Sequence, residues 1–310
     1  MKQHFSSLRT PILLGAAILL FSLSACKKDN NIKTDNTIDG IVSSTPDFST
    51  LNAAVMKAGL SSTLESTGPF TVFAPNNEAF TTAGITSGVL AGLTSTQVKN
   101  ILLYHTITSK ILASQVPAGP DAAVVAANGD TLYVTNNSNG VFVNGVQVIQ
   151  ANVQASNGVI HVIGNVLMPP SGNIVQMAQA DTSLSYLVVA VVTANLQGAL
   201  SGSGPLTVFA PTNNAFRAAG FPTIASIQAA SPATLTSILT YHVIGARVFS
   251  SDLTNGEQAT TLNGEKVTIG LTSSGATVKG MSNTSPSNII AANIVATNGV
   301  IHVIDQVLLP

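Results

Sequence analysis

The sequence GPFTVFAPNNEAF at Gly68–Phe80 returns as GPLTVFAPTNNAF at Gly204–Phe216, with ten of 13 positions identical. A second block, NGVIHVI at Asn157–Ile163, recurs unchanged at Asn298–Ile304, and a Tyr-His pair lies between the two blocks in each copy. The three blocks keep one order at offsets of 136 to 141 residues, which indicates a duplicated unit. That period exceeds the ~20–50 residues of solenoid repeats and matches one domain of roughly 100–150 residues. The sequence therefore predicts two copies of one domain.

Each copy begins with helical periodicity. Apolar residues recur at three- and four-residue steps, which predicts an amphipathic helix, and Gly59 is placed to end the first one. A second helix around Ile101 or Ile238 leads into the Tyr-His pair. Asn76 and Asn213 are predicted to be N-caps of a short helix between the two. The periodic positions of the first helix are Phe48, Leu51, Val55 and Ala58 in copy one, and Leu184, Leu187, Val191 and Ala194 in copy two.

The rest of each copy is rich in strand-forming residues. Asn-Gly pairs at Asn128-Gly129, Asn144-Gly145 and Asn263-Gly264 predict hairpin turns between apolar runs. Pro75 and Pro211 are expected to end the first strand of each copy, because proline cannot donate to a β-ladder. Helices first and strands later predict an α+β fold in each copy.

Three segments of each copy resemble the signatures of the fasciclin-like domain. In copy one they are Thr71–Phe80, Tyr104-His105, and the stretch from Gly158 to Pro169. The resemblance covers nearly all of residues 37–170 and 171–310, which we take as two tandem fasciclin-like domains. It implies that each is a β-wedge with helices packed on it. It also implies a secreted or surface-anchored protein of the fasciclin and beta-Ig-h3 family, associated with adhesion to cells, matrix or polysaccharide.

Residues 1–25 are predicted to be a lipoprotein signal peptide. Lys2 and Arg9 precede an apolar run of 13 residues, Pro11–Leu23, which is shorter than the ~20 residues that span a bilayer. The following Leu23-Ser24-Ala25-Cys26 resembles a lipobox, and Cys26 is the single cysteine of the chain. We expect Cys26 to be lipidated, and residues 26–36 to be a polar tether. The alternative is an ordinary signal peptide with a cysteine near its end by chance.

These features predict a cell-envelope location, as an outer-membrane lipoprotein. Cys26-Lys27-Lys28-Asp29 is similar to the short charged signals that send some lipoproteins to the outer leaflet. Only one acidic residue follows the lysines, so a periplasm-facing lipoprotein is the alternative.

Composition excludes several classes of function. Charged residues make up 8% of the chain against a usual ~25%. Without Lys2 and Arg9 the chain has ten basic and 13 acidic residues and no basic stripe, which argues against nucleic-acid binding. The sequence lacks the P-loop, G-x-S-x-G and H-E-x-x-H motifs. We therefore predict that the protein is not an enzyme and that it has no catalytic residues, no cofactor and no metal site.

Four of the five histidines fall into two repeat pairs. His161 and His302 lie in a strand that is apolar on both faces, which predicts a structural role with internal hydrogen bonds. The alternative is metal binding or general-base catalysis. The resemblance links the region of the Tyr-His pair to partner binding, so Tyr104, His105, Tyr241 and His242 are candidate partner-binding residues.

The sequence thus favours a lipid-anchored binding module that acts in adhesion. The expected partners are a protein or polysaccharide at a cell surface or in a matrix, with the membrane contacted through the N-terminal lipid. A second hypothesis is a structural envelope spacer whose domains self-associate, and a third is an unrecognised enzyme. The sequence does not name the ligand.

Overall fold

Each copy of the repeat folds into one seven-stranded sheet with helices packed against it. The computed structural model describes residues 35–310. The predicted signal peptide, Cys26 and the tether up to residue 34 lie outside the described residues. Residues 35–310 form a single compact unit.

In both domains the helices precede most of the strands. Short 3-10 turns lie at Pro46–Phe48, Ala113–Gln115, Thr182–Leu184 and Ser250–Asp252. The helices of domain 1 are α1 Ile38–Ser44, α2 Ser49–Ala58, α3 Ser61–Glu65, α4 Asn77–Thr82, α5 Ser87–Gly92 and α6 Ser95–Tyr104. Those of domain 2 are α7 Ile174–Ala180, α8 Ser185–Thr193, α9 Gln197–Ser201, α10 Asn213–Ala218, α11 Ile224–Gln228 and α12 Pro232–Tyr241.

The strands of the two domains follow the same order. Domain 1 contains β1 Phe70–Pro75, β2 Thr106–Ile107, β3 Gly119–Val125, β4 Thr131–Asn137, β5 Gly140–Val143, β6 Val146–Ala155 and β7 Gly158–Ile163. Domain 2 contains β8 Leu206–Pro211, β9 Val243–Ile244, β10 Gln258–Thr260, β11 Lys266–Thr272, β12 Gly275–Lys279, β13 Ser287–Ala296 and β14 Gly299–Ile304. The predicted Asn-Gly turns lie between β3 and β4, between β5 and β6, and between β10 and β11, which confirms all three hairpins.

The two repeated sequence blocks form neighbouring strands, and these two strands make the one parallel pair in each described sheet. The first sheet has the order β2-β1-β7-β6-β5-β4-β3, and the second has the order β10-β11-β12-β13-β14-β8-β9. β1 runs parallel to β7 with Phe73 opposite His161, and β8 runs parallel to β14 with Phe209 opposite His302. The other strand pairs are antiparallel. Tandem α+β domains of this kind agree with the predicted fold class.

The glycine of the repeated Asn-Gly, which begins β7 and β14, is required by close backbone approach. A Cβ atom on Gly158 would collide with the carbonyl oxygen of Phe70, and one on Gly299 would collide with that of Leu206. Any larger residue would push the parallel strands apart. Asn157 supports the same junction, because its side chain accepts a hydrogen bond from the amide of Ile38 at 2.9 Å. It also donates to the carbonyl oxygens of Leu64 and Ser66, each at 2.7 Å.

Strand β7 is apolar on both faces because two cores meet on it. Ile160 and Val162 pack with helices α2 and α6, whereas Ile163 packs inside the wedge with Phe73 and Leu132. Domain 2 divides its core in the same way. Burying one such side chain stabilises the fold by roughly 1.5–3 kcal/mol.

Helix ends follow the predicted chemistry with one correction. Gly59 is left-handed (φ 66°) at the end of α2, and Asn76 caps α4 by accepting from the amide of Ala79 at 2.8 Å. In copy two the cap of α10 is Thr212, so the prediction of Asn213 was wrong. Thr212 occupies the position of Asn76. Its hydroxyl oxygen accepts a hydrogen bond from a free helical amide, as the amide oxygen of Asn76 does. Asn213 is the first helical residue, and its side chain accepts from the amide of Tyr186 at 2.9 Å.

No single helix among residues 35–310 is long and apolar enough to cross a membrane. Ile174–Ala180 and Thr182–Thr193 reach that length only as a pair, bent by 104°.

Candidate functional site: the Tyr-His pairs and the domain interface

His105 lies at the end of α6 and is fully engaged by backbone groups. Its Nδ1 lies 2.8 Å from the carbonyl oxygen of Ile101, and its Nε2 accepts from the amide of Leu167 at 2.9 Å. His242 repeats the arrangement with Ile238 at 2.8 Å and Leu308 at 2.9 Å. The carbonyl partners place the ring proton on Nδ1 in both. Burial lowers the pKa of each imidazole to about 4, so both rings are neutral near pH 7.

Tyr104 and Tyr241 connect the end of the second long helix to the outer strands. The Tyr104 hydroxyl donates to the carbonyl oxygen of Thr131 at 3.1 Å and accepts from the Asn144 side chain at 2.8 Å. The Tyr241 hydroxyl donates to the carbonyl oxygen of Lys266 at 2.7 Å. Burial raises the pKa of Tyr104. Because the two tyrosines are equivalent, their acceptors Thr131 and Lys266 occupy equivalent positions in the two copies. This equivalence aligns β4 with β11.

The Tyr-His side chains lie in the core and not on a surface. Tyr104 and Tyr241 are 0% exposed, and His105 and His242 are 1% exposed. A partner cannot touch them without a local rearrangement of the domain. Their part in binding therefore stays a prediction, and in this conformation it could act only through the segments they hold in place.

His161 and His302 are buried against the central strands. His161 Nε2 lies 2.9 Å from the carbonyl oxygen of Ile111, and its Nδ1 accepts from the amide of Asn152 at 3.3 Å. His302 makes the same pair of contacts with Val248 at 2.9 Å and Asn293 at 3.3 Å. Burial lowers the pKa of both rings. Every ring nitrogen thus has a protein partner.

Asn152 and Asn293 are the residues that sequence reasoning missed in this site. Each lies at an irregularity in β6 or β13 with a left-handed backbone, φ 61° and 63°. Asparagine tolerates that conformation better than most residues. Their side chains accept from the amides of Ala113 at 3.0 Å and Ser250 at 2.8 Å. The signal was present, because Ala-Asn recurs at 151–152 and 292–293 at the offset of the closing block.

No metal centre is formed within the described part of the chain. Residues 35–310 contain no group of three or more His, Cys, Asp or Glu placed to hold a metal ion.

The two domains meet through contacts that the sequence did not predict. The Arg247 guanidinium carbon lies 3.8 Å from the centre of the Tyr133 ring, and the Tyr133 and Phe249 rings are 6.0 Å apart. The Thr135 hydroxyl donates to the Asp252 carboxylate at 3.0 Å. We call this region the domain interface. It comprises Tyr133, Thr135 and Asn137 of domain 1, and Arg247, Phe249, Ser251 and Asp252 of domain 2, with the Asn137 side chain donating to the carbonyl oxygen of Ser251 at 2.9 Å.

A second polar group borders the domain interface. Asp121 is half-buried in domain 1, and burial raises the pKa of its carboxyl to about 6. The nearby Asp252 carboxylate adds to the rise, while the Arg247 guanidinium opposes it. Asp121 Oδ1 and Arg247 Nε are both buried and have no hydrogen-bond partner within residues 35–310. The ionised form of Asp121 therefore destabilises the folded protein at this interface.

The interface residues are not duplicated. By the alignment of Thr131 with Lys266, domain 2 has Thr268, Gly270 and Thr272 where domain 1 has the three interface residues of β4. Domain 1 in turn has Lys110, Leu112 and Gln115 where domain 2 has Arg247, Phe249 and Asp252. Each surface is thus specific to its own copy. The contact therefore joins domain 1 to domain 2 through residues that neither domain duplicates.

The chain matches the Fasciclin domain family at residues 46–169 and again at residues 182–310. Together the two matches cover most of the chain. The chain belongs to the fasciclin domain family. Both fasciclin domains contain the parallel central strands and the buried Tyr-His pair described above.

Relatives occur in animals and in bacteria. The chain is 32% identical to human periostin and 30% identical to pig transforming growth factor-beta-induced protein ig-h3, each over 251 residues and 80% of this chain. It spans only 29% of periostin and 35% of ig-h3. Protein sll1483 of Synechocystis sp. is 43% identical over 136 residues, which are 43% of this chain and 74% of that protein.

A solved fasciclin domain pair also matches. It comes from the insect cell adhesion molecule Fasciclin I and is 21% identical, with a TM-score of 0.42. The match covers 85% of this chain and 97% of that chain.

A cleft of about 300 Å³ lies where the two fasciclin domains meet. Asn165 and Met168 line it from domain 1, and Met177 and Asn293 line it from domain 2. No charged side chain lines it. The surface around the junction therefore offers amide, backbone and thioether groups, which suit an uncharged partner.

Proposed function

We propose that this chain is a binding module of the adhesion type, built from two fasciclin domains that act as one unit at the cell envelope. The observation that carries the proposal is the tandem pair of fasciclin domains joined by a copy-specific interface. An interface of this kind holds the two outer surfaces at a defined distance. Two weak contacts on one rigid unit bind more tightly than either contact alone.

The partner that we propose is a protein or a polysaccharide on a neighbouring cell or in a matrix. With 8% charged residues, the chain must recognise it mainly through neutral hydrogen bonds and shape. Loops and outer strands that differ between the copies are the proposed specificity elements, because binding residues concentrate on loops carried by a rigid scaffold. Membership of the fasciclin domain family, whose resemblance implies adhesion, supports this proposal.

We further propose that the module is anchored through lipid on Cys26, with residues 26–36 as tether, and that the domains occupy residues 37–170 and 171–310. The anchor would place the module on the outer membrane, facing either outward or toward the periplasm. An adhesive role requires the outward orientation. Protease accessibility on intact cells distinguishes the two orientations.

Binding is tested with chain 27–310 coupled to beads and presented to intact cells and to envelope polysaccharides. The control is an unrelated lipoprotein of similar net charge on the same beads. Adhesion predicts that the fasciclin beads bind cells well above the control. Equal binding by both beads contradicts adhesion, and concentration-dependent self-association in the ultracentrifuge would then favour the envelope spacer.

A further inference from the structure

Domain 1 contains a cavity of about 120 Å³ inside its wedge. It lies between the central strands β1 and β2 on one side and the outer strands β3, β4 and β5 on the other. No charged side chain lines it, and most of its wall is aliphatic. The apolar side chains of the wall include Phe73, Ile107, Val116, Val124, Val134 and Val141.

The polar side-chain atoms of Thr71 and His161 in the wall are already hydrogen-bonded within the protein. The Thr71 hydroxyl donates to the carbonyl oxygen of Ser109 at 2.6 Å and accepts from the amide of Ile111 at 2.9 Å. Both ring nitrogens of His161 are engaged, as described above. A bound water needs two to four polar partners, and an apolar cavity without them stays dry. The cavity is therefore suited to an apolar occupant.

The exposed residues of the lining mark the mouth of the cavity. Gln115 and Pro117 are exposed, while Val134 on the opposite wall is buried. Gln115 Oε1 accepts from the amide of Leu112 at 2.8 Å, and its Nε2 donates to no group within residues 35–310. An occupant can thus insert an apolar end and leave a polar group outside, next to an amide donor.

We propose that domain 1 binds the alkyl end of a lipid-like molecule in this cavity, about six carbon atoms deep, with the polar end at Gln115. The size follows from comparison with an engineered apolar cavity of about 150 Å³ that takes up benzene. An empty cavity of this size leaves its wall atoms without contact partners, and an alkyl chain supplies them. The cavity lies on the inner side of the outer strands β3, β4 and β5, whose exposed side is proposed for adhesion. Its test measures binding of small molecules and not attachment to cells, so either proposal can fail without the other.

The test uses chain 27–310, which contains the whole compact unit of residues 35–310. The probes are 1-hexanol, toluene and, as a polar control, glycerol. Calorimetric titration measures affinity, and the heat-capacity change reports apolar burial. Intermolecular NMR Overhauser effects to the methyl groups of Val124 and Val134 locate the probe. We expect 1-hexanol to bind with a negative heat-capacity change and to contact both methyl pairs, and glycerol to do neither.

Ala122→Leu fills the cavity from β3, since Ala122 lies in its wall. We expect it to weaken 1-hexanol binding at least tenfold. The matched control is Ala259→Leu on β10, the corresponding edge strand of domain 2, which should leave affinity unchanged. Should Ala122→Leu not fold, Ala113→Val fills the same cavity from the opposite wall.

Three results would overturn the proposal. They are absence of 1-hexanol binding to the wild-type chain, binding without Overhauser effects to the cavity methyls, and binding that survives a folded cavity-filling variant. Toluene binding with no 1-hexanol binding would contradict the alkyl class and show a site for small rings. If neither filling variant folds, the Overhauser effects of the wild-type chain decide the question alone.

Discussion

The guanidinium of Arg247 stacks on the ring of Tyr133, with 3.8 Å between the guanidinium carbon and the ring centre, and so joins the two fasciclin domains. A cation over an aromatic face contributes about 0.5–2 kcal/mol, with the larger values where water is excluded. Phe249 extends the contact, because its ring is 0% exposed and its centre lies 6.0 Å from the centre of the Tyr133 ring. The tandem pair is therefore held by side-chain packing as well as by the linker.

Tyr133→Ala should uncouple the two domains. We expect the loss of the Arg247 and Phe249 contacts to lower the free energy of unfolding by roughly 1–3 kcal/mol. We also expect calorimetry to resolve two thermal transitions where the wild-type chain shows one. The matched control is Thr268→Ala, at the corresponding exposed position of β11. If both variants behave alike, Tyr133 does not couple the domains.

Asp121→Asn should stabilise the protein at neutral pH. The folded-state pKa of Asp121 is raised to about 6, chiefly by burial and then by Asp252. Between its ordinary value near 3.9 and about 6 the folded state binds more protons than the unfolded state, so this group's contribution to stability falls as pH rises. We expect the variant to melt above wild type at pH 7.5, and the difference to shrink toward pH 5. A difference that does not vary with pH would contradict the assignment.

The buried histidines should make the whole protein acid-sensitive. Burial lowers the folded-state pKa of His105 and His242 to about 4, against an ordinary value near 6.5. Between these values the unfolded state binds more protons than the folded state. The contribution of the two neutral rings to the free energy of unfolding is therefore fully present above pH 6.5 and is lost as pH falls toward 4. Equilibrium denaturant unfolding at several pH values measures this loss. His105→Gln should reduce the slope, and an unchanged slope in that variant would show that other groups cause the acid loss.

Replacing His161 or His302 by Ala should destabilise its domain by roughly 1–3 kcal/mol. The change leaves a cavity beside Phe73 or Phe209, and it removes the partner of the Ile111 or Val248 carbonyl oxygen. Denaturant unfolding of each variant measures the cost. Zinc and a chelator should leave the wild-type melting temperature unchanged. A zinc-dependent rise that disappears in these variants would indicate a metal site.

Cys26→Ala should release the protein from membranes. Cys26 is the single cysteine of the chain and follows the lipobox-like Leu23-Ser24-Ala25. We expect the wild-type protein to sediment with membranes after a high-salt wash, and the variant to be recovered in the soluble fraction. The control is Ser24→Ala, which keeps a small residue in the lipobox and the cysteine. A variant that stays with washed membranes would contradict lipid anchoring at this position.

Part of the candidate site could be predicted from the sequence and part could not. The duplicated histidines predicted internal hydrogen bonds. Their acceptors, the carbonyl oxygens of Ile111 and Val248, could not be predicted, because every residue has a backbone carbonyl whatever its side chain. The Tyr-His pair was assigned to partner binding from resemblance, whereas its side chains lie in the core. A residue shared by two copies can be required by the fold or by a ligand, and the burial of these four side chains favours the fold.

What the sequence determined alone was the duplication, the fold class, three of the six helices in each copy and the hairpins. Those features follow from local chemistry, such as apolar periodicity, Asn-Gly turns, and the glycine at the end of α2. The tertiary structure decided which segments meet. It placed Gly158 against the carbonyl of Phe70, Arg247 on Tyr133, and an apolar cavity behind Gln115. These contacts join residues that are far apart along the chain, and their free energies depend on packing distances that no local pattern encodes.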